Sequence, residues 1–301
     1  MPAPFLTGYV AIIGAPNAGK STLLNRLLGQ KVVAVAAKPQ TTRHKIIGVL
    51  TDPGAQIVFV DTPGYHEPQK LLNQEMVKRA LSALAESDTC LWLVDGLFRG
   101  EDHARARALA LNAPQKLVIA VSKTDLLNKE KLKTLARSLS EEIPDHEIWP
   151  ISAKTGSGLP ELLKAIRATL PEGPALYPED SLTDQSLRAI AAEFIREAAF
   201  RLTRLELPYS VAVTVDEFIE PDPSDPRRLT RVSATIHVEK DSQKRIVIGS
   251  QGRLLKEIGS QARANIERLT EGQVFLKLFV RVTKDWTKNK KSVAEFGYGD
   301  F

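Results

Sequence analysis

The chain has one cysteine, two methionines and five histidines in 301 residues, and only 6% of it is aromatic. A lone cysteine excludes an intramolecular disulfide framework. Cys90 lies in the apolar run Thr89-Cys90-Leu91-Trp92-Leu93-Val94, which makes it a small core residue rather than a nucleophile. No apolar stretch approaches the roughly 20 residues of a membrane span. Met1-Pro2-Ala3-Pro4 has neither the charged nor the apolar region of a secretory signal, so the expected compartment is the cytoplasm. Neither sign of charge dominates: the net charge is +5, with 43% hydrophobic and 26% charged residues, an ordinary globular composition. The length suggests two domains, each large enough to bury a core.

The charge that is there is unevenly spread. Residues 179–239 carry 7 Lys/Arg against 12 Asp/Glu, and residues 240–301 carry 13 against 7. An acidic stretch followed by a basic one directs the last sixty or so residues toward a polyanion.

Residues 14–21 read Gly-Ala-Pro-Asn-Ala-Gly-Lys-Ser, a complete GxxxxGK[ST] phosphate loop, directly after the apolar run Tyr9–Ile13. Strand, glycine-rich turn and helix start are the context such a loop needs. Its backbone N–H groups converge on phosphate oxygens, aided by the positive end of the helix dipole. The expected nucleotide contacts are Gly14, Ala15, Pro16, Asn17, Ala18, Gly19, Lys20, Ser21 and Thr22, with Lys20 reaching the β- and γ-phosphates and Ser21 coordinating magnesium.

Up to about residue 170, short apolar runs at Val10–Ile13, Gln56–Val60, Cys90–Val94, Leu117–Val121 and Glu147–Ile151 alternate with helical patterns at 73–85, 103–111, 129–139 and 159–169. That alternation predicts a mostly parallel sheet with helices on both faces and ligands at the carboxyl ends of its strands. Asp61-Thr62-Pro63-Gly64 ends one such strand, where Asp61 would hold magnesium through water and the Gly64 N–H would face a γ-phosphate. Ser122-Lys123-Thr124-Asp125 ends another, and Asp125 can accept from the N1–H and N2–H₂ of guanine, a donor pair that adenine lacks. Ser152-Ala153-Lys154 ends a third and supplies a backbone N–H for the guanine O6. The nucleotide is therefore expected to be GTP or GDP with Mg²⁺.

Pro171-Glu172-Gly173-Pro174 and Tyr177-Pro178 break the alternation and read as a linker. The expected division is a nucleotide-binding domain at 1–172, a linker at 173–185 and a second domain with a basic tail at 186–301. The second domain reads helix (185–205), strand (209–218), strand (230–239), helix (253–269), strand (274–282), an α+β pattern. Val247-Ile248-Gly249-Ser250-Gln251-Gly252-Arg253 holds a GxxG turn heading an amphipathic helix. A nucleic-acid backbone can approach such a turn closely because no side chain intervenes. Lys244, Arg245, Gly249, Ser250, Gln251, Gly252, Arg253 and Lys256 are the expected RNA contacts. Phe275, Phe279 and Trp286 are read as core or groove wall rather than as stacking platforms.

The set Gly14–Ser21, Thr42, Asp61–Gly64, Ser122–Asp125 and Ser152–Lys154 resembles the five motifs of a translation-factor-class GTPase. The wording of Pro16–Lys20, Pro39-Gln40-Thr41-Thr42-Arg43 and Asp61–Gly64 is similar to the TrmE–Era family. The resemblance implies that Thr42 contacts magnesium and the γ-phosphate, and that Asn17 supports a potassium ion assisting phosphoryl transfer. Lys20, Asn17, Thr42 and Gly64 are then the catalytic set. Tyr65 stands where Ras-type enzymes have a water-positioning glutamine, so slow intrinsic turnover is implied. The second domain resembles a type II KH domain, which implies a short helix over Arg245–Ile248, although propensity alone makes that segment a strand. Together the two resemblances imply an α/β P-loop GTPase domain joined to an α+β KH domain. The activity implied is GTP-controlled binding of small-subunit ribosomal RNA near its 3′ end during 30S assembly. A monomer with loose inner-membrane association is implied with it.

One position departs from the family pattern Asn-Lys-x-Asp: Ser122 replaces the Asn that ties the base to the phosphate loop. Serine is shorter and has one O–H donor, so weaker GTP affinity is expected. Two other readings stay open at this point. One is an RNA-binding assembly module with a weakened nucleotide site. The other is a tRNA-modification GTPase, disfavoured because no modification domain and no C-terminal catalytic cysteine is present.

Overall fold

The computed structural model describes residues 4–35, 46–62, 81–97, 100–203, 211–222, 224 and 229–297. Thr42, Pro63, Gly64 and Tyr65, with most of the expected helix at 73–85, lie outside the described residues. The chain divides into two compact units, one built mainly of residues up to Asp184 and the other mainly of those from Gln185.

The first unit holds a six-stranded sheet of β1 (Leu6–Ile13), β2 (Ile46–Asp52), β3 (Ala55–Asp61), β4 (Thr89–Asp95), β5 (Lys116–Ser122) and β6 (Ile148–Pro150), in the order β2-β3-β1-β4-β5-β6. All neighbours run parallel except β2, which pairs antiparallel with β3 across seven residues. The continuous apolar character of β3 and β4 follows from their place inside a sheet covered on both faces, and every residue of both is buried. β2 was not among the expected strands. Its run Ile46-Ile47-Gly48-Val49-Leu50 precedes the Pro53-Gly54 turn, a hairpin signal hidden by the βα alternation around it.

Helices α1 (Lys20–Leu28), α2 (Glu101–Leu111), α3 (Lys129–Glu142) and α4 (Leu159–Arg167) cover the sheet. α2 and α3 bring Ala106, Ala110 and Leu139 onto Ala11, Ile13, Trp92, Val94, Ile119 and Val121. α1 lies against β2 at Gly48, where an added Cβ would come within 2.5 Å of Leu24 Cδ1 and 2.9 Å of Leu28 Cδ1. Cys90 is fully buried, and burial pushes its thiol up to about 12, so it is core as expected. The proline-rich stretch after α4 is held by hydrogen bonds to this unit. The buried Gln56 accepts from Leu176 N–H at 2.7 Å and Tyr177 N–H at 2.9 Å and donates to the Tyr177 carbonyl at 2.9 Å. Thr183 Oγ1 donates to the Ile47 carbonyl at 2.6 Å.

The second unit follows the order α5 (Leu187–Leu202), β7 (Ala212–Ile219), β8 (Leu229–Val238), α6 (Asp241–Ile248), α7 (Arg253–Thr270), β9 (Gln273–Val282), with a short tail helix α8 (Lys290–Glu295). Its sheet order is β7-β8-β9; β7 and β8 are antiparallel with a bulge between Val215 and Glu217, and β8 and β9 are parallel. A parallel pair needs a crossover, which α6 and α7 supply. Ile195, Phe200, Val247, Ile258 and Ala262 pack from the helices onto Val213, Ala234, Ile236 and Val238 on one face of the sheet. Arg245–Ile248 is the last turn of α6. Its β-branched residues are helical because Val247 gains a core position there, and packing overrides propensity.

Candidate functional site

Because β1, β3, β5 and β6 run the same way, the loops that follow them open on one edge of the sheet. Those loops carry the four described motifs. The phosphate loop turns through Asn17 at φ 64° and Gly19 at φ 98°, and α1 starts directly behind it. Gly14 admits no side chain, since a Cβ there would lie 2.6 Å from the Leu93 carbonyl oxygen of the neighbouring strand.

Lys20 is the first residue of α1, yet it is only 6% exposed. Its Nζ donates to the Gly14 carbonyl at 3.0 Å and the Ala15 carbonyl at 3.1 Å, folding the side chain back over the loop. Burial lowers its ammonium from 10.5 to about 8, with Asp61 pulling the other way. A cation held at such a cost within a turn of N–H groups is suited to a polyphosphate. Beside it, Ser21 Oγ donates to Asp61 Oδ2 at 2.6 Å, and Asp61 is fully buried at the end of β3. A hydroxyl and a carboxylate in contact, both hard oxygen donors, fit magnesium, which takes a few protein oxygens and keeps its waters. Thr62 Oγ1 donates to the Ile12 carbonyl at 2.8 Å, fastening the strand ends together. Thr22 is half-buried in the first turn of α1, and Pro16 and Ala18 complete the loop.

The loops expected to recognise the base are cross-linked. Asp125, exposed in the short turn after β5, accepts from Ser152 Oγ at 2.7 Å, and that oxygen accepts from the Thr155 N–H at 3.1 Å. Ala153 and Lys154 follow in the same turn. Arg26 Nη2 of α1 donates to the Thr155 carbonyl at 3.3 Å, tying this loop to the helix behind the phosphate loop. Lys123 takes φ 60°, and its Nζ lies 2.7 Å from Asp95 Oδ2, so its stem is held extended by an ion pair. Asp95 was missed from the sequence. The signal was present, because Val94-Asp95-Gly96 ends a buried strand on the same edge as the other motifs.

Ser122 makes the tie its length was expected to weaken. Its Oγ is 2.7 Å from the Ala18 carbonyl in the phosphate loop and 3.1 Å from the Val94 carbonyl. With one proton it donates to one of them at a time.

In the second unit the GxxG turn is a three-residue 3-10 turn, Ser250–Gly252, between α6 and α7. Gly249 (φ 71°) admits no side chain, since a Cβ would meet Leu254 Cβ at 2.7 Å, whereas a Cβ on Gly252 (φ 75°) would meet nothing. Gly252 thus leaves open space at the N-terminus of α7. Ser250, Gln251, Arg253 and Lys256 are exposed around it. A groove of about 500 Å³ runs from Gly252, Lys256 and Arg263 to Phe275 and Leu276 of β9. Lys244 does not line this groove but a second depression farther along β9, and Arg245 is exposed on α6. Trp286 is fully buried, as expected. Phe275 and Phe279 are 58% and 46% exposed, so Phe279 is neither core nor a wall of that groove.

The family described as "50S ribosome-binding GTPase" matches residues 9–129, and the KH domain family matches residues 206–287. GTPase Era of Geobacter metallireducens is 48% identical over 296 residues, 98% of each chain, and GTPase Era of Carboxydothermus hydrogenoformans is 41% identical over 300 residues, 99% of each. Among solved structures, Era in complex with MgGDPNP and nucleotides 1506–1542 of 16S ribosomal RNA superposes with a TM-score of 0.90 at 39% identity, covering 98% of this chain and 100% of that one. A variant of Aquifex aeolicus Era bound to GDP·AlF₄⁻ gives 0.91 at 39% identity with the same coverage. No helix among the described residues is long and apolar enough to cross a membrane.

Proposed function

The chain belongs to the Era family of GTPases, and from that premise we propose that it couples its guanine-nucleotide state to binding of small-subunit ribosomal RNA near the 3′ end. The observation that carries the reading is the presence in one chain of the Lys20–Asp61–Asp125 edge and the open GxxG turn with its basic rim. The relative solved with 16S ribosomal RNA nucleotides 1506–1542 supports the choice of RNA.

In this reading Lys20 and the loop N–H groups neutralise the β- and γ-phosphates, and Asp125, steadied by Ser152, selects guanine. Magnesium, held by Ser21 and Asp61, supplies further charge neutralisation on the phosphates. Catalysis is then mainly positioning and electrostatics, in keeping with slow turnover. RNA lies along the groove from Gly252 to Phe275, with its phosphates toward Arg253, Lys256 and Arg263. The protein acts as a cytoplasmic monomer, and the exposed Lys284, Lys288, Lys290 and Lys291 supply the charge for loose contact with an anionic membrane.

Gly252→Asp tests the groove. It places bulk and negative charge where a Cβ meets only open space, so RNA binding should be lost while the first unit goes on hydrolysing GTP. A GxxG clamp of about four nucleotides neutralises about three phosphates, giving a log–log salt slope of roughly −2 for the unmodified protein. Binding indifferent to both substitution and salt refutes the assignment.

A further inference from the structure

Asp95 closes β4 directly across from Ser122 of β5, the residue before Lys123. It is 5% exposed, and both of its carboxylate oxygens are engaged. Oδ1 accepts from the Leu97 N–H at 2.9 Å, which shapes the turn after the strand, and Oδ2 accepts from Lys123 Nζ at 2.7 Å. Lys123 stands at φ 60°, a left-handed conformation that a lysine keeps only where its surroundings fix it. Those surroundings are the Leu126 N–H, which donates to the Lys123 carbonyl at 3.0 Å, and the Thr124 N–H, which donates to the Ile151 carbonyl at 3.2 Å. Backbone and ammonium are thus both anchored, at opposite ends of a flexible four-carbon stem. Two positions on, Asp125 Oδ1 accepts from Ser152, and Oδ2 has no hydrogen-bond partner among the described residues.

We propose that Asp95 is a positioning residue for the guanine base, acting through Lys123 rather than by touching the nucleotide. The inference rests on the reading that Asp125 selects guanine. In the nucleotide-free protein the ion pair already holds the Lys123 stem extended in the turn that carries Asp125, so binding a nucleotide need not order that side chain. The pair also commits the ammonium. A loose ammonium two residues from Asp125 would be drawn to its Oδ2, an oxygen that guanine needs as an acceptor, and Asp95 removes that competition. Both effects act on how tightly the base is held. Neither involves Lys20, Ser21 or Asp61, the residues assigned to the phosphates and magnesium, so the chemical step itself is left alone.

Asp95→Asn separates this role from a structural one. Its amide oxygen can still accept from the Leu97 N–H, while the charge that holds Lys123 is lost. The full chain is stripped of nucleotide, and the affinity for a fluorescent GDP analogue is measured alongside steady-state phosphate release from GTP. Asp95→Asn should weaken GDP about tenfold, the lower end for one hydrogen bond between charged groups. KM for GTP should rise by a similar factor, with kcat within about twofold of the parent. On a Lys123→Met background Asp95→Asn should cause no further loss, because the residue through which Asp95 acts is gone. Three results overturn the proposal: unchanged GDP affinity in Asp95→Asn, a kcat that falls as far as kcat/KM, or the same tenfold loss on the Lys123→Met background. The last two would make Asp95 a support of the turn and not of the lysine. Asp125→Asn keeps the two readings apart. If it shifts preference to xanthine nucleotides, guanine selection by Asp125 stands whatever Asp95 does. If it does not, the reading beneath the proposal is wrong, and the proposal is overturned with it.

Discussion

Lys20→Met should stabilise the nucleotide-free protein while abolishing triphosphate binding. In the folded chain the ammonium is 6% exposed and titrates at about 8, against 10.5 for a solvated lysine. That gap corresponds to about 3 kcal/mol by which the folded state disfavours the charge, at about 1.4 kcal/mol per pH unit. The cost is fully present below pH 8, where both folded and unfolded chains carry the proton. It fades between pH 8 and 10.5, because the folded protein then gives up its proton while the unfolded chain keeps it. By pH 10 less than about 1 kcal/mol remains. Methionine fills the same volume without charge but cannot donate to the Gly14 and Ala15 carbonyls, which forfeits about 1 kcal/mol.

The expected net gain is therefore about 2 kcal/mol at pH 7, shrinking to nothing or reversing at pH 10. Urea unfolding of protein stripped of nucleotide with a chelator, at both pH values, measures it. With saturating GTP and magnesium the order should invert, because only the parent gains ligand stabilisation. A variant less stable than the parent at pH 7 without nucleotide, or a difference equal at the two pH values, would show that the buried ammonium is not under strain.

Asp125→Asn should move preference from guanine to xanthine nucleotides, because an amide donates where the carboxylate accepted. Losing two hydrogen bonds to a charged group costs GTP about 3–6 kcal/mol, a hundredfold or more in affinity, and a variant that still prefers GTP in competition with XTP would contradict the assignment. The Asn17 reading expects hydrolysis to slow when sodium replaces potassium, and Asn17→Ala to erase the difference; equal steady-state phosphate release in the two salts would remove it. Asn17 is exposed in the loop, so its side chain is free of core packing.

What could be read from the sequence was whatever depended on local order. The phosphate loop needs a strand before it and a helix after it, and both are visible in the run from Tyr9 to Leu28. The carboxylates at the ends of β3 and β5 were legible for the same reason. Asp95 ends a buried strand in the same way and could have been read; what the sequence hides is its partner, Lys123, twenty-eight positions away. β2 escaped because it runs antiparallel inside an otherwise alternating βα pattern. Arg245–Ile248 defeats propensity altogether: three β-branched residues form the last turn of a helix because Val247 has a core to enter and Gly249 can end the turn. Phe275 and Phe279 show the opposite limit: both were read as core or groove wall, yet both are largely exposed and only Phe275 borders the groove.

Ser122 shows how a departure in type can keep a contact in place. The family's Asn would span from β5 to the phosphate loop with a long amide, and a serine looks too short for that span. β5 pairs in register with β4 as far as Asp95 and Ser122, and the Gly96 N–H then donates to the Ser122 carbonyl at 3.2 Å. Gly96 is what permits the approach, since a Cβ there would lie 2.5 Å from that carbonyl oxygen. The Ser122 hydroxyl stands 2.7 Å from the Ala18 carbonyl, a full hydrogen bond to the phosphate loop. What serine lacks is the second donor of an amide. The nearby Val94 carbonyl, at 3.1 Å, competes for its one proton. The Ser122 link to the phosphate loop is therefore one hydrogen bond shared between two acceptors. That geometry keeps the link to the phosphate loop in place and leaves Asp125, the residue proposed to select guanine, with its own support from Ser152.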